Sequence, residues 1–149
     1  MRLAVLAVAA LFGASACSDL SPADGSRAAA ARSAPEDQAA VDLLARTYTF
    51  GEAEAPLMGC NVALDATAVD VAGRPARRVR VAPGCLKAFP SLGAVTHWAP
   101  TGGASIALLG GDPLSELADF SPVQDGTGVY LRGGIAGDKR IYELRTPGT

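Results

Sequence analysis

Short apolar runs separated by turn signals make up most of this chain. From about residue 39 onward, Gly, Pro and Asp-Gly signals recur roughly every eight to twelve residues. Some runs alternate in polarity, so that Tyr142 and Leu144 share one predicted face while Ile141 and Glu143 share the other. The pattern predicts an antiparallel β-sandwich or β-barrel, and the absence of long helical periodicity argues against an α/β enzyme fold.

Nine of these runs are candidate strands, and the segment Cys85–Phe89 is a candidate helical turn. Asp125-Gly126 and Gly133-Gly134 can supply the positive φ that tight hairpins need. The candidate strands are Leu44–Phe50, Met58–Leu64, Ala68–Val71, Arg77–Val81, Val95–Trp98, Ser105–Leu109, Leu117–Phe120, Gly128–Arg132 and Lys139–Leu144.

The first residues have the features of an export signal. Arg2 precedes a short apolar stretch, which ends in the small residues before Cys17. This ending is similar to a bacterial lipobox, in which the Cys thiol is acylated and the chain is cut just before it. An ordinary secretory signal that happens to precede a Cys is the alternative. With Ser18 after Cys17, similarity to other bacterial lipoproteins implies sorting to the outer membrane, facing the periplasm or the cell surface.

Composition divides the rest of the chain into a tether and one domain. Residues 17–38 are rich in Ala, Ser and Asp and hold almost no large apolar residue, so they predict a lipidated Cys followed by a flexible spacer. Residues 1–16 form the signal, and residues 39–149 form a single domain, expected to be monomeric. Two or more acyl chains on Cys17 would hold the protein on a membrane.

The three cysteines support this division. An exported protein with an odd number of cysteines leaves one without a disulfide partner unless that one has another role. If Cys17 carries lipid, an oxidising compartment would join Cys60 to Cys85. A metal site at these two cysteines is the weaker alternative, because the chain has a single His and no Cys-x-x-Cys motif.

Charge and motifs give no sign of catalysis. The formal net charge of −2 lacks the basic excess typical of nucleic-acid binding. His97 is the only histidine and adjoins Trp98, so we expect a packed or half-exposed side chain. Glu52 and Glu54 are expected to be solvated. No phosphate-binding loop or nucleophile motif occurs, so the sequence predicts no enzyme activity and no cofactor.

The order of these features resembles the AprI/Inh protease-inhibitor domain, including the outer-membrane lipoproteins of alphaproteobacteria that carry it. The resemblance covers about residues 39 to 145, and its most specific parts are the cysteine pair, Trp98 and the strand after it. The matching segments are Arg46–Phe50, Cys60–Leu64, Cys85-Leu86, Val95–Trp98, Gly103–Leu108, Leu117–Phe120 and Tyr130–Gly133.

The resemblance implies an all-β fold, an eight-stranded antiparallel up-and-down β-barrel with one disulfide. It also implies inhibition of secreted or host proteases, among them zinc metalloproteases, by steric blocking of the active-site cleft. In the family a short N-terminal trunk enters that cleft and its free amine reaches the metal. Tyr48 and Ala45 stand here where the family's first strand carries Trp and Gly, and we expect Tyr48 and Trp98 to be core aromatics.

Contact with the protease is expected at the N-terminal segment or at rim loops. An acylated Cys17 stands about thirty residues before Tyr48 in the sequence, where the family's trunk is much shorter. The metal-binding mode therefore needs a second cleavage that exposes a new N-terminus near Ser33, Ala34 and Pro35. The candidate loops are Pro100–Gly103, including Pro100, Thr101 and Gly102, and Gly110–Pro113. Two alternatives remain open: a barrel that holds a small apolar ligand, and a structural envelope lipoprotein.

Overall fold

The computed structural model describes residues 38–55 and 60–148. The predicted signal peptide, Cys17 and the tether up to residue 37 lie outside the described residues. Helix α1 covers residues 38–44, helix α2 covers Pro83–Ala88, and a 3-10 turn covers Pro90–Ala94. The strands are β1 Thr47–Glu52, β2 Cys60–Val71, β3 Arg74–Val81, β4 Val95–Gly102, β5 Ser105–Gly110, β6 Ser115–Asp125, β7 Gly128–Ile135 and β8 Ile141–Arg145.

The eight strands form a closed barrel in which each strand pairs with its neighbour in sequence and β8 pairs with β1. All pairings are antiparallel, and Thr49 lies opposite Arg145 where the barrel closes. The predicted eight-stranded up-and-down barrel is therefore confirmed, and the sandwich alternative is excluded. Closure pairs both edges of every strand, so the sheet presents no free edge.

The predicted disulfide is also confirmed. Cys60, the first residue of β2, is bonded to Cys85 of α2, and their Cα atoms are 4.7 Å apart. The bond ties the connection between β3 and β4 to the end of the barrel. In α2, Pro83 occupies the first turn, where its missing N–H costs no helical hydrogen bond.

Two candidate strands were placed wrongly. The runs Met58–Leu64 and Ala68–Val71 belong to the single strand β2 from Cys60 onward, with a register shift between Leu64 and Ala68. The polar residues at this bulge interrupt the apolar run and look like a turn in the sequence. The indole Nε1 of Trp98 donates a hydrogen bond of 3.0 Å to the carbonyl of Asp65 within this shift.

The beginning of the first candidate strand, Leu44–Phe50, was also wrong. Leu44 ends α1, and β1 begins only at Thr47. Gln38, which the sequence placed in the tether, is helical. The reason is that Val41 and Leu44, three residues apart, share one helical face, and both pack into the barrel core.

Inward side chains fill the barrel. Phe50 stacks on Tyr142 with ring centroids 5.0 Å apart and meets Phe89 edge-on at 5.0 Å. Burial, followed by a hydrogen bond of 2.6 Å to Asp138, raises the pKa of Tyr142 to about 12. The largest fully buried side chains are Trp98, Tyr142, Phe50, Phe120, Leu92, Ile106, Leu108, Leu144, Val41, Val62 and Cys85.

The strand directions give the barrel two rims. The N-terminal rim carries α1, the turns at residues 72–73, 103–104 and 126–127, and the end of β8. The disulfide rim carries α2, the 3-10 turn and the loops at residues 111–114 and 136–140. Each rim is closed by apolar side chains of the core cluster, Val41 and Leu44 at the first and Cys85 and Leu92 at the second. In the described part of the chain, no helix is long and apolar enough to cross a membrane.

Candidate functional site at the N-terminal rim

The structure places one predicted contact loop beside α1. Pro100, Thr101 and Gly102 form the end of β4 at the N-terminal rim, where Thr101 and Gly102 are exposed. The turn to β5 runs through positive φ at Gly102, Gly103 and Ala104, a conformation that glycine adopts without strain. The other predicted contacts, Ser33, Ala34 and Pro35, lie outside the described residues.

The second predicted loop lies at the opposite end of the molecule. Gly110 ends β5 at the disulfide rim, and residues 111–114 lead from there into β6. One partner surface cannot cover both loops if it approaches along the barrel axis. The two candidate loops are therefore alternatives, and only Pro100–Gly103 shares a rim with α1.

Helix α1 is fixed to the barrel by burial and by hydrogen bonds. Val41 and Leu44 are almost completely buried, and the hydroxyl of Tyr48 donates a hydrogen bond of 3.0 Å to the carbonyl of Leu44. The guanidinium of Arg46 donates to the carbonyl of Leu43. Burial raises the pKa of Tyr48, so its hydroxyl keeps the proton that it donates. Helix α1 thus has a fixed position on this rim.

An apolar groove opens beside α1 at the same rim. We name it the rim groove and define it by six of its lining residues: Leu43, Leu44, Arg46, Pro122, Val129 and Leu131. Its volume is about 150 Å³, which leaves room for one apolar side chain. The turn between β4 and β5 contributes Ala104 to its lining. The rim groove therefore connects α1, the predicted contact loop and the hairpin of β6 and β7.

A polar network stiffens the outer wall next to the groove. Two guanidinium groups lie over the ring of Tyr130, with Arg145 Cζ at 3.8 Å and Arg132 Cζ at 5.5 Å from the ring centroid. Glu143 accepts hydrogen bonds from both arginines, at 2.6 Å from Arg132 Nη2 and 2.7 Å from Arg145 Nε. The hydroxyl of Tyr130 donates to Asp125 at 2.9 Å. The network ties β7 and β8 to the turn between β6 and β7.

Two carboxyl groups in this network have shifted pKa values. Hydrogen bonds from the side chain and the backbone of Thr127, and then from Tyr130, lower the pKa of Asp125 to about 2. Burial raises the pKa of Glu143, but hydrogen bonds from Arg132 and Arg145 outweigh that effect and lower it overall. Both groups are ionised near neutral pH, so the network contains two carboxylates and two guanidinium groups.

The remaining candidate residues lie apart from the N-terminal rim or inside the barrel. Trp98 is fully buried in the core, and His97 is half-buried, with Nδ1 2.9 Å from the hydroxyl of Thr96. The Glu52 carboxylate lies 3.9 Å from Arg140 of the disulfide rim. Within residues 38–55 and 60–148, no group of three or more His, Cys, Asp or Glu side chains is placed to hold a metal ion.

Sequence reasoning missed the rim groove. Leu43 and Val129 line it together although 86 positions separate them in the sequence. The sequence around each residue does indicate an exposed position. Leu43 lies outside the buried face of α1, and Val129 comes just after an Asp-Gly turn, two residues before the inward-facing Leu131. Neither signal indicates that the two side chains line one groove.

The fold and the site define a small, disulfide-linked up-and-down β-barrel with a preformed apolar groove on one rim. Comparison of the chain with protein-family models, with curated proteins and with solved structures gave no match.

Proposed function

We propose that this protein is a lipid-anchored inhibitor of secreted or host proteases, including metalloproteases, that blocks a protease cleft sterically. The observation that carries the proposal is the arrangement of the N-terminal rim. Helix α1, the loop from Pro100 to Gly102 and the rim groove all lie on this one rim. The resemblance of residues 39 to 145 to the AprI/Inh domain supports the same function.

The rigidity of the barrel supports steric blocking. A protease cleaves segments that it can draw out into an extended, unpaired conformation, whereas every strand here is paired on both sides. The filled core and the bond between Cys60 and Cys85 oppose local opening. A rigid surface also loses little conformational entropy when it binds, which favours affinity.

The filled interior favours binding at the surface over binding inside the barrel. Trp98, Phe50 and Phe120 project into the space that a small apolar ligand would need, and all three are completely buried. A ligand-binding lipoprotein is therefore the weaker alternative, and native mass spectrometry would detect a ligand that survives mild purification. A purely structural role in the envelope would appear as altered envelope permeability on deletion, without altered protease sensitivity.

The inhibitor hypothesis is tested by titration. The exported chain with Cys17→Ser is purified and titrated against serralysin-type zinc proteases and against serine proteases. We expect inhibition below micromolar concentration for at least one class. Absence of inhibition of every class at micromolar concentration would contradict the proposal.

A matched pair of variants locates the inhibitory rim. Thr101→Arg places a bulky charge on the N-terminal rim, and Ala136→Arg places the same charge on the disulfide rim; both native side chains are exposed. We expect Thr101→Arg to raise the inhibition constant at least tenfold and Ala136→Arg to leave it unchanged. The reverse result would assign inhibition to the other rim.

Inhibition through a free N-terminal amine, as in the family, is tested by a separate measurement. Mass spectrometry of the mature N-terminus shows whether Cys17 is acylated and whether a cut near Ser33 leaves a free amine. A free amine would support the metal-directed mode of the family. An intact acylated chain that still inhibits would exclude the free-amine mode and assign inhibition to the surface of the barrel, where the two rim variants locate it.

A further inference from the structure

Two exposed aliphatic side chains line the rim groove. Leu43 of α1 is 56% exposed and Val129 of β7 is 62% exposed, among the most exposed large apolar side chains in the described part of the protein. Single apolar residues scattered on a surface are ordinary. Two of them beside one concave apolar groove are not scattered, and such a feature marks a site of interaction.

The groove is preformed. Leu44 and Leu131 lie beneath its opening and are almost completely buried, so they cannot rotate away. On one side, Pro122 and Leu131 are opposite each other in the register of β6 and β7. On the other side, the hydrogen bond from Tyr48 to Leu44 holds α1 in place. An occupant therefore meets fixed walls, and little binding free energy is lost in ordering them.

The edge of the groove is positively charged. Arg46 lines it, and among the described residues no carboxylate forms an ion pair with this side chain. Its guanidinium donates to the carbonyl of Leu43, which holds the charge beside the opening. The neighbouring Arg145 is already paired with Glu143. An occupant that brings a carboxylate to Arg46 would form a charge-assisted hydrogen bond.

We propose that the rim groove is a docking site for a protein partner, which inserts one aliphatic or aromatic side chain next to a carboxylate. The concave shape and the volume of about 150 Å³ fit a single side chain and not the flat surface of a membrane. The identification of the partner as a protease rests on the proposed function. The recognition chemistry follows from the groove itself.

The groove is tested with a minimal probe on the full exported chain carrying Cys17→Ser and labelled at Leu, Val and Ile methyl groups. N-acetyl-leucine offers an apolar side chain and a carboxylate, whereas N-acetyl-leucinamide lacks the charge. We expect saturable NMR shifts at Leu43, Val129 and Leu131 with the acid, and binding at least several-fold weaker with the amide. Ile141, which is 49% exposed at the disulfide rim, is the internal control and should not shift.

Three variants distinguish specific binding in the rim groove from nonspecific association of the probe with apolar surface. Val129→Asp should abolish the saturable shifts, and Ile141→Asp, the matched change at the other rim, should retain them. Arg46→Gln should remove the preference for the acid over the amide. Shifts of equal size at Ile141, absence of saturation, or an acid preference that survives Arg46→Gln would overturn the proposal.

The same variants test whether the partner that binds the rim groove is a protease. For any protease that the protein inhibits, Val129→Asp should raise the inhibition constant at least tenfold while Ile141→Asp leaves it unchanged. Saturable probe binding with an unchanged inhibition constant would overturn docking of the protease at this groove. Inhibition of no protease would contradict the proposed function alone, since the methyl shifts decide the recognition chemistry independently.

Discussion

The guanidinium of Arg77 lies against the indole ring of Trp98 inside the barrel, with its Cζ 5.6 Å from the ring centroid. The two residues are opposite each other in the register of β3 and β4. Arg77 is only 8% exposed, and its Nε has no hydrogen-bond partner. The attraction between the guanidinium charge and the aromatic ring stabilises the folded state, whereas the loss of hydration of this charge destabilises it.

We expect Arg77→Met to leave the free energy of unfolding within about 1 kcal/mol of the wild type or to raise it, because a buried charge with an unmet donor is replaced by an apolar chain of similar length. Arg77→Ala should lower it by about 2 kcal/mol, because it leaves a cavity. Urea unfolding followed by the fluorescence of Trp98, the only tryptophan, measures both. A larger loss for Met than for Ala would show that the charge itself stabilises the barrel.

Removal of the disulfide should destabilise the barrel strongly. In the chain-entropy account a bond that closes a loop of 25 residues contributes about 3 kcal/mol, and native bonds in small secreted domains contribute about 2–5 kcal/mol. We expect the free energy of unfolding of the double variant Cys60→Ala, Cys85→Ala, measured in urea, to be lower than that of the wild type by an amount in this range. Cys17→Ser retains the bond and is the control. Equal melting temperatures with and without reductant in that control would contradict the expected stabilisation.

Glu143 should make stability depend on acid pH. Its pKa is lowered in the folded protein, so its contribution is complete above its ordinary value of 4.5 and is lost as the pH falls through the folded-state pKa. We expect Glu143→Gln to cost about 1–3 kcal/mol at pH 7, because Arg132 and Arg145 lose a charged acceptor. The difference from the wild type should shrink at acid pH. A difference that stays constant from pH 7 to pH 2 would assign the effect to packing.

Gly133 should tolerate no side chain. It lies between Phe120 and Tyr142 across three strands, and a Cβ atom there would stand 1.8 Å from the carbonyl oxygen of Asp119. We expect Gly133→Ala to lower the free energy of unfolding by at least about 3 kcal/mol. Gly134→Ala is the matched control, because its Cβ would meet no atom within 4 Å. Equal unfolding midpoints for the two variants would contradict the close approach.

Cys17→Ser should release the protein from the membrane fraction without changing the fold of the barrel. The reason is that acylation of this cysteine is the expected attachment, and the acyl chains supply the affinity for the membrane. Fractionation and circular dichroism test the two parts of the prediction separately. Continued membrane association of the variant would refute attachment through this residue.

The spacing of turn signals and the short apolar runs determined that the protein is an antiparallel β structure, because turn chemistry and strand alternation are local properties of the chain. Cysteine counting likewise paired Cys60 with Cys85, since only these two remain once Cys17 has another role. The helical turn predicted at Cys85–Phe89 and the strands predicted at Gly128–Arg132 and Lys139–Leu144 also follow from local sequence. Helix α2, β7 and β8 lie at or near these positions.

The family resemblance implied a closed barrel, but the residue pattern by itself left closure undecided, and only the tertiary structure shows which surface residues lie together. The alternating pattern fits a sandwich as well as a barrel, and closure rests on pairs such as Thr49 with Arg145, which lie far apart in the sequence. The alternation of side chains along β8 places Glu143 on the outer face of the barrel. Its side chain is nevertheless only 3% exposed, because two arginines cover it. The rim groove arises in the same way, from Leu43 and Val129, which come together only because the closed barrel places α1 beside β7.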